Sequence, residues 1–143
     1  MYDSLKLENQ LCFPIYLCSK ELIRKYTPFL DNLDLTYTQY IVMLYLWEKG
    51  SSNVRELGKT ILLDSSTLTP LLKKLESKGY ISRERSLVDE RNLIINLTDK
   101  GEKLKSKALS IPSKMGQCIN LNENEALTLY KLIYKLLTNI EKE

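Results

Sequence analysis

The sequence predicts a mainly α-helical chain with one small β-hairpin. Two observations predict this fold class. Apolar residues recur three and four positions apart through much of the 143-residue chain, which is the spacing of a helix face. One short stretch alternates apolar with polar residues instead, as a half-buried strand does, and a second short stretch precedes it across a brief connection.

The residue content excludes most enzyme and metal chemistry. The chain has no histidine and no CxxC pair, which rules out zinc fingers of the Cys/His type, histidine triads and histidine general bases. Its five glycines are scattered, and they form no glycine-rich phosphate loop. We therefore expect a protein that is not an enzyme and that holds no metal or other cofactor.

Charge, cysteine content and hydropathy give weaker expectations. The net charge of +3 permits a polyanionic partner without establishing one. Three widely spaced cysteines argue against a disulfide framework. The N-terminus lacks the pattern of a signal peptide, and no apolar run approaches the ~18 residues that span a bilayer. We expect a cytoplasmic protein.

Residues 7–33 are predicted to be mostly helical. Pro14 fits best in a first turn, where its missing N–H costs little, so the regular helix should begin near residues 11–13. Cys12 would then lie close to the helix N-terminus; a kink one turn into the helix is the alternative. Pro28 is expected to end or bend this helix.

A capping signal opens the second helix. Thr36 and Gln39 have the spacing of a capping box, and Leu35 and Tyr40 can form the accompanying hydrophobic staple. This helix is expected to run to about Glu48 and to stop at the Gly-Ser-Ser that follows it.

Two further helices are predicted on either side of a tight turn. The first covers residues 53–61, with Asn53 and Glu56 at capping-box spacing, and the second covers about 65–79. Pro70 leaves the start of the second helix open. A cap at Thr67 would place Pro70 in the first turn, whereas a cap at Asp64 or Ser65 would remove one helical bond. One apolar stripe follows this second helix: Leu68, Leu71, Leu72 and Leu75.

The remainder is predicted as a hairpin followed by two helices. Strands are expected at residues 80–86 and 91–97, and Thr98 is expected to cap a helix that passes Pro112 only with a break. Asn122 and Glu125 should open the last helix. Its wide apolar stripe favours a subunit interface over packing on its own core, and the stripe comprises Ala126, Leu129, Ile133, Leu136 and Ile140.

The predicted order of these elements is typical of a winged helix-turn-helix: a short helix, a tight turn, a helix with a polar face and a hairpin. The second helix of such a pair fits the DNA major groove, and arginines on the hairpin can enter the minor groove. Taken alone, the helix is better interpreted as an ordinary amphipathic surface helix and the arginines as a solvated charged face, and the order of the elements is what favours DNA binding. The residues expected to contact DNA are Ser65, Ser66, Thr67, Thr69, Lys73, Lys74, Arg83, Arg85, Asp89 and Arg91.

The motifs at residues 63–76, 89–91 and 97–98 resemble those of the MarR family of dimeric repressors. Residues 7–13 and 35–40 narrow the resemblance to its organic hydroperoxide-sensing (OhrR-like) branch. This resemblance implies a homodimer that binds a double-stranded operator. It also implies one winged-helix domain over residues 1–143, with a DNA-binding part at about 53–97 and dimerisation parts at about 5–34 and 99–143.

The resemblance also implies a sensing site. Cys12 matches the peroxide-reactive thiol, and Tyr26 and Tyr37 match two tyrosines of the partner subunit that hydrogen-bond to it. Cys118 lies where some members carry a resolving thiol, while others use a small thiol. Cys18 is expected to be a small buried apolar residue. Structural roles for Cys12 and the two tyrosines are the alternative interpretation.

Other functions stay open at this point. One is a regulator of the same family that responds to a small aromatic ligand, with Cys12 inert. Another is a thiol-based global stress or virulence regulator. A third, from another class, is a peroxidase that uses the Cys12 thiol.

Overall fold

A computed structural model describes residues 2–88 and 93–141. Within those ranges the chain is mainly helical with one small antiparallel sheet, so the predicted fold class is confirmed. The helices are α1 (Cys12–Asp31), α2 (Tyr37–Lys49), α3 (Val54–Ile61), α4 (Ser65–Ser77), α5 (Asp99–Ala108), α6 (Ile111–Ile119) and α7 (Glu123–Glu141). The strands are β1 (Ser51–Asn53), β2 (Ile81–Arg85) and β3 (Leu93–Leu97).

Helix α1 begins where Pro14 predicts. Cys12 is its first residue and Pro14 its third, a position whose N–H would have no intrahelical partner. The residues before it form two short 3-10 turns rather than a continuation of the helix. Pro28 does not end α1, which continues for three more residues to Asp31.

The predicted capping box opens α2. The Gln39 amide donates to Thr36 Oγ1 over 3.3 Å, and the Thr36 amide donates to Gln39 Oε1 over 3.0 Å. Each side chain therefore satisfies a backbone donor that the first turn leaves unpaired. The helix ends at Gly50, whose φ of +79° suits a residue without a Cβ.

The turn between α3 and α4 is tight. A Cβ on Gly58 would lie 2.9 Å from the Leu63 carbonyl oxygen, so the close approach requires glycine there. Leu62 adopts φ +55°, the left-handed conformation that ends a helix. Asp64 then caps α4, its Oδ1 accepting from the Thr67 amide over 2.9 Å. Pro70 thus lies inside the helix, which settles the start that the sequence left open.

The sheet has the strand order β1–β3–β2. Strands β2 and β3 form the predicted hairpin, with Ile81 opposite Leu97 and Arg85 opposite Leu93. Strand β1 adds an antiparallel edge, with Ser52 opposite Ile95. From the sequence, residues 50–52 are predicted only to stop a helix, because a three-residue strand is too short to show alternation.

The chain divides into two compact units, residues 1–110 and 111–143. In the first, α2 lies at the centre and contacts α1, α3, α4, α5, β1 and β3. Fully buried side chains from these elements make its core, and they include Val42, Met43, Leu46, Leu57, Leu68, Leu72, Leu75, Ile81 and Ile95. The predicted leucine stripe of α4 therefore faces this core.

The second unit contains α6 and α7. Pro112 is the second residue of α6, after the predicted break in the chain. The expected signal opens α7: the Glu125 amide donates to Asn122 Oδ1 over 2.9 Å, and the Asn122 amide donates to Glu125 Oε1 over 3.1 Å. None of the residues of α7 is buried.

Candidate functional site

Helix α4 presents a polar surface to solvent. Its leucines are buried, while Ser65, Ser66, Thr67, Lys73 and Lys74 are exposed and Thr69 is half-buried. The N-terminal turn therefore carries hydroxyls and the C-terminal half carries ammonium groups.

Asp64 fixes the first turn of α4. Its Oδ1 accepts from the Ser66 hydroxyl over 2.7 Å and from the Thr67 amide over 2.9 Å. The bond from Ser66 is the main cause that lowers the pKa of the Asp64 carboxyl, so the cap is ionised at neutral pH. The negative charge at this end also suits the helix dipole.

The hairpin is tied to α4 through one arginine. Arg83 donates from Nε and Nη2 to Glu76 Oε1 over 3.2 and 3.0 Å, and its side chain is only 19% exposed. These hydrogen bonds lower the pKa of the Glu76 carboxyl. Arg85 is exposed at the end of β2. Asp89 and Arg91, expected at the hairpin tip, lie outside the described residues.

All three cysteines are exposed thiols. Cys12 occupies the first position of α1, and its thiol makes no hydrogen bond with any residue in 2–88 or 93–141. Cys118 lies in the last turn of α6. The prediction that Cys18 is buried is wrong, because the side chain lies on a face of α1 that the rest of the described chain does not cover.

Tyr26 and Tyr37, matched from the sequence 11 residues apart, are brought together. Their ring centroids are 4.8 Å apart, with Tyr26 on α1 and Tyr37 at the start of α2. Both are half-buried, and burial is the main cause that raises the pKa of each phenol. The two hydroxyls therefore stay protonated donors at neutral pH.

Two more aromatic residues extend this pair into the core. Tyr40 lies 5.8 Å from Tyr26 and 6.4 Å from Tyr37, measured between ring centroids. Trp47, two turns along α2, meets Tyr40 edge-on at 6.4 Å and donates its indole N–H to the Gly101 carbonyl over 2.9 Å. An aromatic chain thus runs from the tyrosine pair to α5.

Neither a membrane span nor a metal cluster is found in the part of the chain that the structure describes. No helix there is long and apolar enough to cross a bilayer. No group of three or more cysteine and carboxylate side chains there could hold a metal ion.

Comparison with known proteins identifies the family. Residues 24–108 match the family model described as transcriptional regulator SarA/Rot. The chain is 44% identical to the organic hydroperoxide resistance transcriptional regulator of Bacillus subtilis (strain 168), over 98% of this chain and 93% of that protein. It is 49% identical to the HTH-type transcriptional regulator SarZ of Staphylococcus aureus (strain MRSA252), over 84% of this chain and 81% of that one.

A solved structure agrees with these relatives. Reduced AbfR bound to DNA superposes with a TM-score of 0.81 at 34% sequence identity, covering 96% of both chains, and AbfR comes from Staphylococcus epidermidis. The chain belongs to the MarR-like family of winged-helix transcriptional regulators. It is thus a regulator and not an enzyme, as the sequence predicted.

Tyr40 and Trp47 of this regulator's aromatic cluster were not predicted from the sequence. Tyr40 is only 3% exposed, yet it was assigned only a staple role at the start of α2. The signal was present, because Tyr37 and Tyr40 are three positions apart and therefore lie on one side of a helix. The described part of the regulator thus brings together Tyr26, Tyr37 and Tyr40 on one side and the exposed hydroxyls and lysines of α4 on another.

Proposed function

We propose that this chain is a homodimeric, cytoplasmic repressor that releases its operator when an organic hydroperoxide oxidises Cys12. The observation that carries this proposal is an unpaired, exposed thiol at the start of α1 in a chain that also assembles two half-buried phenol donors. The relatives support it, since one is named for organic hydroperoxide resistance and AbfR has been solved in reduced, overoxidised and disulfide forms.

Helix α4 is proposed to contact the major groove of the operator. Its exposed hydroxyls can reach base edges and its two lysines can neutralise phosphates, as the second helix of a helix-turn-helix does. Arg85, with Asp89 and Arg91 of the hairpin tip, is proposed to reach the minor groove. Arg83 also stays in the proposed set, although Glu76 now occupies two of its donors and gives it a role in aligning the hairpin with α4.

The proposed chemistry at Cys12 is a two-electron oxidation. The Cys12 thiolate attacks the outer oxygen of a hydroperoxide ROOH, the O–O bond breaks, and a cysteine sulfenic acid forms with an alkoxide RO⁻ as the leaving group. The alkoxide takes a proton from water and leaves as the alcohol ROH. Phenol O–H donors stabilise the thiolate that attacks. Tyr26 and Tyr37 of the partner subunit are proposed to supply them, consistent with the absence of any hydrogen bond to Cys12 within the described chain.

Cys118 is proposed as the resolving thiol. Its sulfur would attack the Cys12 sulfenic acid, forming the S–S bond and releasing water. Its exposure supports the proposal, because a buried thiol would not be accessible to a second subunit.

The dimer is proposed to form through the terminal helices. The stripe on α7 is open in the single chain, with Ile133 45% and Ile140 58% exposed. Apolar area on this scale needs a partner in a water-soluble protein. The domain division predicted from the sequence, with dimerisation parts at about 5–34 and 99–143, remains part of this proposal.

The test is a non-reducing gel with peptide mass spectrometry, before and after one equivalent of cumene hydroperoxide. Wild type is compared with Cys12→Ser and Cys118→Ser, and Cys18→Ser is the matched control. We expect a Cys12–Cys118 cross-linked dimer that is absent from the first two variants and present in the control.

Each other outcome has a definite meaning. Oxidation of Cys12 without the cross-link would assign a one-cysteine sensor and leave Cys118 structural. An unreactive Cys12 would contradict the redox proposal and favour a regulator that responds to a small aromatic ligand. Continued peroxide consumption with a reductant, beyond one equivalent, would favour a peroxidase.

A further inference from the structure

The end of helix α4 is fastened to the start of helix α2 by one lysine. Lys78, the residue that closes α4, donates from Nζ to Gln39 Oε1 over 3.0 Å and also to the Asp34 carbonyl. The Asp34 carboxylate lies 3.7 Å from the same ammonium. The Lys78 side chain is 25% exposed and the Asp34 side chain 78%, so the bond to Gln39 is partly shielded from water while the contacts with Asp34 face solvent.

Gln39 links this contact to the tyrosine pair. Its side chain is 3% exposed, and the same Oε1 that accepts from Lys78 also accepts from the Thr36 amide. Thr36 is the cap of α2 and Tyr37 is the first residue of that helix. A single buried oxygen atom therefore joins the cap beside Tyr37 to the end of the DNA-contacting helix.

A second contact strengthens the same junction. The Tyr80 hydroxyl donates to the Leu33 carbonyl over 3.1 Å, and Tyr80 is 8% exposed. Two successive carbonyls of the turn between α1 and α2 are thus bound by residues that follow α4. Asp34 lies in this turn with a φ of +55°. Residues other than glycine rarely adopt this conformation, and the surrounding contacts hold Asp34 in it.

We infer that Lys78 is the positioning residue through which the state of the tyrosine pair reaches helix α4. This inference rests on the proposed redox function. When oxidation replaces the Cys12 thiolate of one subunit, which accepts from the Tyr37 hydroxyl of the other, by a larger oxidised group, Tyr37 and the first turn of α2 shift. The Gln39–Lys78 hydrogen bond carries that shift to the C-terminal end of α4. Coupling of this kind needs a continuous set of packed and bonded groups, which this junction supplies.

The test compares Lys78→Met with Lys103→Met. Methionine keeps an unbranched apolar chain and removes only the ammonium, while the Thr36–Gln39 capping box stays intact. Lys103 is an exposed lysine of α5 and serves as the matched control. Two quantities are measured: the Cys12 sulfenic acid trapped by dimedone after one equivalent of cumene hydroperoxide, and operator affinity before and after oxidation.

The DNA probe is a duplex selected from a random-sequence pool with the reduced wild-type protein. In wild type we expect oxidation to lower affinity by roughly 5–150-fold, the usual range for two coupled sites. Lys78→Met should be oxidised at Cys12 to the wild-type extent. The ratio of its operator affinity before oxidation to that after oxidation should be smaller than the wild-type ratio by about fivefold or more. Lys103→Met should keep the wild-type ratio.

Gln39→Glu provides an independent test of the inference, because a carboxylate still accepts hydrogen bonds from both Thr36 and Lys78. It should keep the wild-type response, and loss of the response there would contradict the inference. A wild-type ratio in Lys78→Met would overturn the inference while leaving the proposed function intact. A wild-type protein whose Cys12 does not react, or whose affinity does not change on oxidation, would overturn the proposed function itself.

Discussion

Single residues decide how closely the elements of this chain approach one another. A Cβ on Gly101 would lie 2.2 Å from the Tyr80 carbonyl oxygen, well inside van der Waals contact. The Gly101 carbonyl also accepts from the Trp47 indole. Gly116 is the opposite case, since a Cβ there would meet no described atom within 4 Å.

We predict that Gly101→Ala destabilises the protein by about 1–3 kcal/mol, the usual cost of overpacking. Gly116→Ala in α6 should instead stabilise it by about 0.5–1 kcal/mol, because alanine loses less backbone entropy in a helix. Urea unfolding followed by circular dichroism measures both. Equal and small effects at the two positions would contradict the close packing at Gly101.

A second residue-scale prediction concerns acid stability. Arg83 lowers the pKa of the Glu76 carboxyl below its ordinary value of 4.5 in the folded chain. A lowered folded-state pKa gives stability that is present above the unfolded pKa and is lost as pH falls through the folded pKa. Because Glu76 is 39% exposed, the contribution should stay below about 1 kcal/mol.

Thermal unfolding as a function of pH tests this pair. Wild type should have a higher Tm than Glu76→Gln near neutral pH, and the gap should close as the pH falls below 4.5 and through the lowered folded-state pKa of Glu76, where the wild-type carboxyl also becomes neutral. A gap that is independent of pH would show that the substitution acts through packing rather than through the ion pair.

At the scale of elements, local signals predicted the helices and tertiary packing decided the rest. The Thr36–Gln39 and Asn122–Glu125 boxes were recognisable because capping depends on residues three positions apart. Strand β1 was not, because it exists only through its pairing with β3. Pro70 could not be placed either, since Asp64, Ser65 and Thr67 can all cap a helix, and only the structure shows that Asp64 does so.

The candidate site was predictable to a similar extent. Tyr26 and Tyr37 were found through a family resemblance, and the structure places their rings in contact. The burial of Cys18 was predicted wrongly because a cysteine in an apolar helix is usually covered, and the face of α1 that carries it is not covered by the described chain. The Lys78 side chain bonds to Gln39 and Asp34, which precede it in the sequence by 39 and 44 positions. Such separations are beyond the range of local sequence patterns.

Helix α4 carries a prediction of its own. Lys73→Ala should weaken operator binding about equally for different sequences and lower the slope of log K against log salt by about one unit, as loss of one phosphate contact does. Lys103→Ala on α5 is the matched control and should leave the slope unchanged. Fluorescence anisotropy at several salt concentrations measures both, and an unchanged slope in Lys73→Ala would remove Lys73 from the proposed DNA contacts.

The whole molecule is proposed to act as a dimer, because two copies of α4 must meet successive major grooves about 34 Å apart. Ile133→Glu places a charge in the open apolar stripe of α7. It should convert the dimer to a monomer and abolish tight operator binding. Lys131→Glu, also on α7, is the control for added negative charge and should stay dimeric.

Sedimentation velocity distinguishes these two states directly. A dimeric Ile133→Glu protein would show that the stripe on α7 is not the interface. A monomer that still binds the operator with wild-type affinity would show instead that one copy of α4 suffices.

The contact between Tyr40 and Trp47 gives the protein an intrinsic optical reporter. Trp47 is the chain's single tryptophan, so its emission has one source, and excited tyrosines nearby can transfer energy to it. A shift of Tyr26, Tyr37 or Tyr40 on oxidation would change both the transfer and the emission maximum. The response to a hydroperoxide can therefore be followed in real time in an unlabelled protein, and Tyr40→Leu, which removes the ring in contact with Trp47, should weaken the signal.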